Sequence, residues 1–156
     1  GIDAGAAADF TSRKLNCVPL RGLNEDEFGD LIRFGGSRGY EVRFIEFMPF
    51  GSRWTRDSVI TGPEILKRIA LELGPVEALG QSPGDTSAKY RLEDGTLFGI
   101  IPTISQPFCA HCDRVRLTAD GHLLPCLFSA TGPSIRAASS GCCWSTTWSR
   151  STPATS

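Results

Sequence analysis

Val42-Arg43-Phe44-Ile45-Glu46-Phe47-Met48 reads as the clearest strand of the chain, apolar but interrupted by Arg43 and Glu46, and it decides the fold class. Pro49-Phe50-Gly51 closes it. Upstream, Thr11 to Leu20 reads as a second strand whose apolar part is Leu15, Cys17 and Val18. Between the two, Arg21-Gly22-Leu23-Asn24 makes a turn, and Asn24 is the expected N-cap of a helix. Glu25, Asp26 and Glu27 would fill its first turn, where the helix dipole favours negative charge, and Gly35-Gly36 ends it. Strand, helix and strand at this spacing make a βαβ unit, which implies parallel strands and a layered or barrel α/β fold. Pro19 sits awkwardly in the first of these strands, because proline cannot donate to a ladder.

Further out, residues 2–9 are Ala-rich and compatible with a helix, and residues 51–61 read as a loop. Thr61 or Gly62 caps a helix over 63–73, with Pro63 near its first turn. The pattern changes after Gly74. Short strand candidates at 75–79, 88–92 and 97–103 are separated by turns, and Asp94-Gly95 is a hairpin signal. Val115 to Thr118, a turn at Asp120-Gly121, and His122 to Leu127 form another hairpin. From about Ala137 the chain loses all period and becomes rich in Ser and Thr, with Trp144 and Trp148. Three parts result: an α/β part over 1–74, a small β-rich part over 75–136, and a tail over 137–156 expected to be disordered. There is no internal repeat.

The chain has 156 residues, enough for one domain with a modest core. Sixteen basic against seventeen acidic side chains argue against a basic nucleic-acid surface. No apolar run approaches the roughly 20 residues of a membrane-spanning helix, and Gly1-Ile2-Asp3-Ala4 has no signal-peptide character. Of six Cys, Cys142 and Cys143 are adjacent in the tail and Cys17 stands alone. The remaining three are a poor disulfide framework, so a reducing, cytoplasmic setting with metal-bound thiolates is expected.

Those three are Cys109, Cys112 and Cys126. Cys109-Ala110-His111-Cys112 spaces two thiols so that both reach one ion or one cluster edge, and the Val115–Leu127 hairpin would fold Cys126 back onto them. Soft thiolates select zinc, copper(I) or an iron–sulfur cluster. Spacing alone leaves the choice open. A zinc-ribbon-like module would take its fourth ligand from His111 or His122, whereas a cluster held by three Cys leaves one iron open to a substrate or cofactor atom. In Asp113-Arg114-Val115-Arg116-Leu117, strand alternation would put both guanidinium groups on one face. That face is either a solvated charged surface or a site for phosphate or carboxylate.

The run from Pro107 to Gly121, ending in Leu124-Pro125-Cys126-Leu127-Phe128, resembles the C-terminal cluster motif of the molybdenum cofactor biosynthesis protein A family, the radical S-adenosylmethionine GTP 3′,8-cyclases. Gly1-Ile2-Asp3-Ala4, Lys14-Leu15-Asn16-Cys17-Val18 and Arg43-Phe44-Ile45-Glu46-Phe47-Met48-Pro49 match further segments in order and separation, over residues 1 to about 136. The resemblance implies the C-terminal portion of an incomplete TIM-like barrel, followed by a β-rich segment carrying a [4Fe–4S] cluster. Cys109, Cys112 and Cys126 would then be its ligands, with the open iron facing the guanine of GTP. By the same resemblance Arg114 and Arg116 contact GTP, Lys14 reaches the triphosphate, Arg43 is a further basic residue of the site, and Met48 contacts S-adenosylmethionine. Read alone, Lys14 is a solvated side chain, Arg43 the partner of a neighbouring carboxylate, and Met48 a core residue.

A homodimer of the family type, with GTP as small-molecule partner and neither nucleic acid nor membrane, completes the implied picture. The family's Cys-x3-Cys-x2-Cys motif, which binds a second, radical-generating [4Fe–4S] cluster, does not occur in the sequence. The chain is therefore expected to be a C-terminal fragment, inactive alone, whose tail resembles an out-of-frame translation.

Overall fold

The computed structural model describes residues 1–82, 85–107, 109, 112 and 114–135. His111, Asp113 and the tail over 137–156 lie outside the described residues. The chain divides into two compact units, Gly1–Cys112 and Asp113–Ser156.

The first unit begins with α1 (Ile2–Ala7) and β1 (Lys14–Cys17). Next come α2 (Phe28–Gly36), β2 (Glu41–Ile45) and α3 (Gly62–Leu73), and then β3 (Val76–Gly80), β4 (Ala88–Leu92) and β5 (Leu97–Ile101). The strands form one five-stranded sheet in the order β1-β2-β5-β4-β3. β1, β2 and β5 are parallel, with Cys17 opposite Phe44 and Phe44 opposite Ile100. β4 runs antiparallel to both β5 and β3. The βαβ expectation is thus met by β1-α2-β2. The change of pattern after Gly74 is a switch from parallel to antiparallel pairing within the same sheet.

A closed barrel is not present among the described residues. The sheet is open and mixed, because the β3–β4 hairpin caps one side while β1 forms the other edge. The coarse expectation of an α/β architecture holds.

The core lies on one face of this sheet. Val42 and Phe44 alternate inward from β2 and meet Phe28 and Ile32 of α2, Ile65 and Ile69 of α3, and Phe98 and Ile100 of β5. Phe28 packs edge-on against Phe44 at 5.0 Å between ring centroids. A Cβ at Gly35 would lie 2.4 Å from Val42 Cγ2, so glycine is what lets α2 seat directly on the strand.

Several boundaries differ from expectation for identifiable reasons. β1 stops at Cys17, which leaves the buried Pro19 outside the ladder and removes the conflict it posed. Asn24 caps no helix. Its Oδ1 instead accepts the Leu20 N–H at 2.7 Å, closing a turn, and α2 starts later at Phe28. Glu25, freed from the helix, pairs with Arg68 of α3 at 2.6 Å. Thr61 behaves as expected and forms a capping box with Glu64 at the start of α3. Gly95, at φ +85°, turns the chain between β4 and β5.

In the second unit, β6 (Arg116–Leu117) and β7 (Leu123–Leu124) pair antiparallel around the Asp120-Gly121 turn. The Leu123 N–H donates to the Pro133 carbonyl at 2.9 Å and the Ile135 N–H to the Gly121 carbonyl at 2.8 Å, which holds a third stretch against the hairpin. Among the described residues, no helix is long and apolar enough to cross a membrane.

The Thr61 N–H donates to Glu64 and Arg21 pairs with it, which together push its carboxyl from 4.5 down to about 2. A depressed carboxyl stabilises the fold above its unfolded pKa, and that contribution disappears as pH falls through the folded value. Glu64→Gln should therefore cost up to about 1 kcal/mol near neutral pH, a limit set by solvent screening of this partly exposed group. Urea unfolding at several pH values should show the difference from the parent shrinking between pH 4.5 and about 2.

Candidate functional site

The face of the sheet opposite the core carries charged side chains from β1, β2 and β4. Alternation sends Leu15 and Cys17 of β1 toward the core, and hence Lys14 and Asn16 to the other side. On β2 the same rule brings out Glu41 and Arg43 between the buried Val42 and Phe44. Register sets Lys14 opposite Glu41, and aligns Asn16, Arg43, Gly99 and Lys89 across four strands. Arg43 donates from Nε to Glu41 Oε1 at 2.7 Å, and both side chains are mostly buried. The neighbouring-carboxylate partner anticipated for Arg43 is thus Glu41. A Cβ at Gly99 would lie 3.3 Å from Arg43 Cγ and 2.2 Å from Ser87 Oγ, so the bare glycine leaves room for both side chains. Lys89 pairs with Asp85 at 3.5 Å, which extends the charged surface to β4.

The carboxyl ends of parallel strands are where α/β folds gather their ligand-binding residues. Here β2 leads into Glu46, Phe47 and Met48, and its parallel neighbour β5 leads into residues 102–107 and then Cys109. Met48 is half-buried rather than part of the core cluster. The segment that carries it is held by Trp54, whose indole N–H donates to the Phe47 carbonyl at 2.9 Å.

Glu46 is the residue that sequence reasoning passed over. It is fully buried, at 0% exposure. Its Oε1 accepts the Gly62 N–H at 2.5 Å and the Ser105 hydroxyl at 2.5 Å. Its Oε2 accepts the N–H groups of Ile104 and Ser105 at 2.6 and 2.7 Å. The available signal was a carboxylate within an otherwise apolar strand, which has to find donors if it is buried.

Cys109, Cys112 and Cys126 are all exposed. The Cys112 N–H donates to the Cys109 carbonyl at 3.3 Å. Cys126 belongs to the second unit, where the Phe128 N–H donates to its Sγ at 3.4 Å and the Ser129 N–H to its carbonyl at 3.1 Å. Three exposed thiols are a soft donor set that fits an iron–sulfur cluster or zinc and not a hard cation. Among the described residues, no group of three or more His, Cys, Asp or Glu is gathered closely enough to hold a metal ion.

Arg116 opens β6 and is exposed, while Arg114 precedes the strand and is half-buried. The expected alternation therefore does not apply to this pair, because β6 is only two residues long. Of the two histidines considered as zinc ligands, His111 lies outside the described residues. His122 directs Nδ1 to Asp120 at 3.1 Å. Thr118 and His122 hold the Asp120 carboxyl below its usual range.

The sequence profile of the family described as Molybdenum Cofactor Synthesis C matches residues 40–141. A GTP 3′,8-cyclase 3 of Mycobacterium bovis is 47% identical over 138 residues, which cover 87% of this chain and 36% of that protein. A GTP 3′,8-cyclase 1 of Mycobacterium tuberculosis is 44% identical, covering 87% of this chain and 38% of its own length. A GTP 3′,8-cyclase of Synechococcus is 43% identical over 145 residues, which cover 88% of this chain and 42% of that protein. The chain thus spans well under half the length of the curated relatives it matches.

Cys17 is half-buried, and burial followed by the nearby Glu27 charge pushes its thiol up. In the metal-free chain, alkylation followed by mass spectrometry should label Cys109, Cys112 and Cys126 at least about tenfold faster than Cys17. Equal rates at all four would contradict the exposures described.

Proposed function

The chain belongs to the Molybdenum Cofactor Synthesis C family, and from that premise we propose that it is the GTP-binding portion of a radical S-adenosylmethionine GTP 3′,8-cyclase of molybdenum cofactor biosynthesis. Cys109, Cys112 and Cys126 would supply three thiolates to a [4Fe–4S] cluster, whose remaining iron would be open to GTP. Arg114 and Arg116 offer planar, bidentate donors to the nucleotide. Lys14 and Arg43, on the sheet face opposite the core, bring positive charge to its phosphates, and Met48 contacts S-adenosylmethionine. In this reading β1 and β2 are strands of an incomplete TIM-like barrel. Residues 1–74 are its barrel part, 75–136 its cluster and GTP segment, and two such proteins form a homodimer.

The observation that supports this most is the side-by-side parallel pairing of β2 and β5, whose carboxyl ends lead into Met48 and into the Cys109 segment. The donor set supports it too, since exposed thiols and guanidinium groups suit a soft metal centre and a phosphorylated ligand together. When bound, S-adenosylmethionine and a reduced cluster supply the radical chemistry, so no side chain has to act as a strong acid or base. What this chain contributes is position. Thiolates would fix the cluster, and cations would draw in the triphosphate. Glu41 keeps the Arg43 guanidinium from turning freely on its long stem.

Anaerobic reconstitution with iron and sulfide should load about four iron and four sulfide per chain. Cys126→Ala should lower that loading severalfold. Stoichiometric zinc without sulfide in the anaerobically purified protein would overturn the cluster reading.

A further inference from the structure

A carboxylate removed from water is costly unless donors replace the hydration it loses, and Glu46 is fully buried. Its donors come from two stretches far apart in sequence. Gly62 is the first residue of α3, where the helix's amino end carries partial positive charge. Ile104 and Ser105 lie just beyond β5, on the way to Cys109. The same junction is tied by the main chain of Glu46. Its N–H donates to the Ile101 carbonyl at 3.2 Å, and its carbonyl accepts the Thr103 hydroxyl at 3.1 Å.

An apolar side chain of similar size would fill the same space, yet it would leave the N–H groups of Gly62, Ile104 and Ser105 without these acceptors. The two oxygens have fixed directions. They therefore select one conformation of the backbone at residues 103–105, where apolar packing would tolerate several. Glu46 is also two residues from Met48, so one side chain links the strand end bearing Met48 to the start of the Cys109 segment.

We infer that Glu46 is a positioning residue whose buried carboxylate sets the path of the segment entering Cys109 and Cys112 relative to the end of β2. It touches neither metal nor nucleotide and acts through the backbone that carries the ligands. The link to the cluster rests on the proposed function, whereas the anchoring itself does not.

Glu46→Gln replaces one acceptor oxygen with an amide that faces donors. In the metal-free full chain, hydrogen exchange in peptides covering 102–107 should accelerate at least about tenfold, with β1 and α2 unchanged. Glu46→Asp, which keeps both oxygens on a shorter stem, should fall between the variant and the parent. In the chain loaded with iron and sulfide, Glu46→Gln should release iron to a chelator at least about tenfold faster. It should also change the electron paramagnetic resonance signal of the reduced cluster while far-ultraviolet circular dichroism stays the same.

Should Glu46→Gln fail to fold, Ser105→Ala removes only the hydroxyl donor and should produce the same local pattern at a few-fold magnitude. Unchanged exchange at 102–107, or an equal rise over the whole chain, overturns the inference. Localised exchange together with a parent chain that takes up no iron upholds the anchor and overturns the cluster reading.

Discussion

The parallel pairing of β2 with β1 on one side and β5 on the other is the constraint on which the rest of the first unit depends. Parallel strands are usually covered on their faces, and here α2 and α3 cover one face through Val42, Phe44, Phe98 and Ile100. Once Phe44 and Val42 are committed to that core, the two-residue period of the strand sends Glu41 and Arg43 to the opposite face. A slip of one residue would exchange them and bury a guanidinium against Phe28. Pairing also brings the carboxyl ends of β2 and β5 together, so the segments they release begin side by side.

The site therefore has two kinds of support. On the open face of the sheet, charge is organised by ion pairs: Glu41 with Arg43, and Asp85 with Lys89. These are mostly short pairs between near neighbours, and their value lies in orienting long side chains more than in stabilising the fold. At the strand ends, order comes from hydrogen bonds to buried groups, with the Glu46 carboxylate and the Trp54 indole fastening the chain just before Met48. The exposed Cys109 and Cys112 follow a segment that is tied down at Ile104 and Ser105.

Much of this was legible in the sequence because local signals agreed with tertiary packing. The alternation in Val42–Ile45, the capping box at Thr61 and the turns at Gly95 and Gly121 all took the forms their residues suggest. The departures arose where a residue had two local options. Asn24 can cap a helix or close a turn, and the nearby Leu20 N–H won it for the turn. The strand ending at Ile45 looked longer because Phe47 and Met48 are apolar, although Glu46 already leaves the ladder to serve α3 and residue 105. Nothing local showed that the hairpins after Gly74 would extend the first sheet, since strand partners are chosen across the fold. Residue types and spacing singled out Cys109, Cys112, Cys126, Arg114 and Arg116 as candidates, while the ion pair of Glu41 and the buried bonds of Glu46 emerged from contacts.

The central claim is that this chain carries a GTP-binding cluster, and a spectroscopic titration tests it most directly. The full chain, loaded anaerobically with iron and sulfide and then reduced, should give an electron paramagnetic resonance signal that changes on adding GTP. The change should saturate with nucleotide concentration and weaken in Arg116→Ala. A loaded, reduced cluster whose signal is the same with and without GTP would contradict the account.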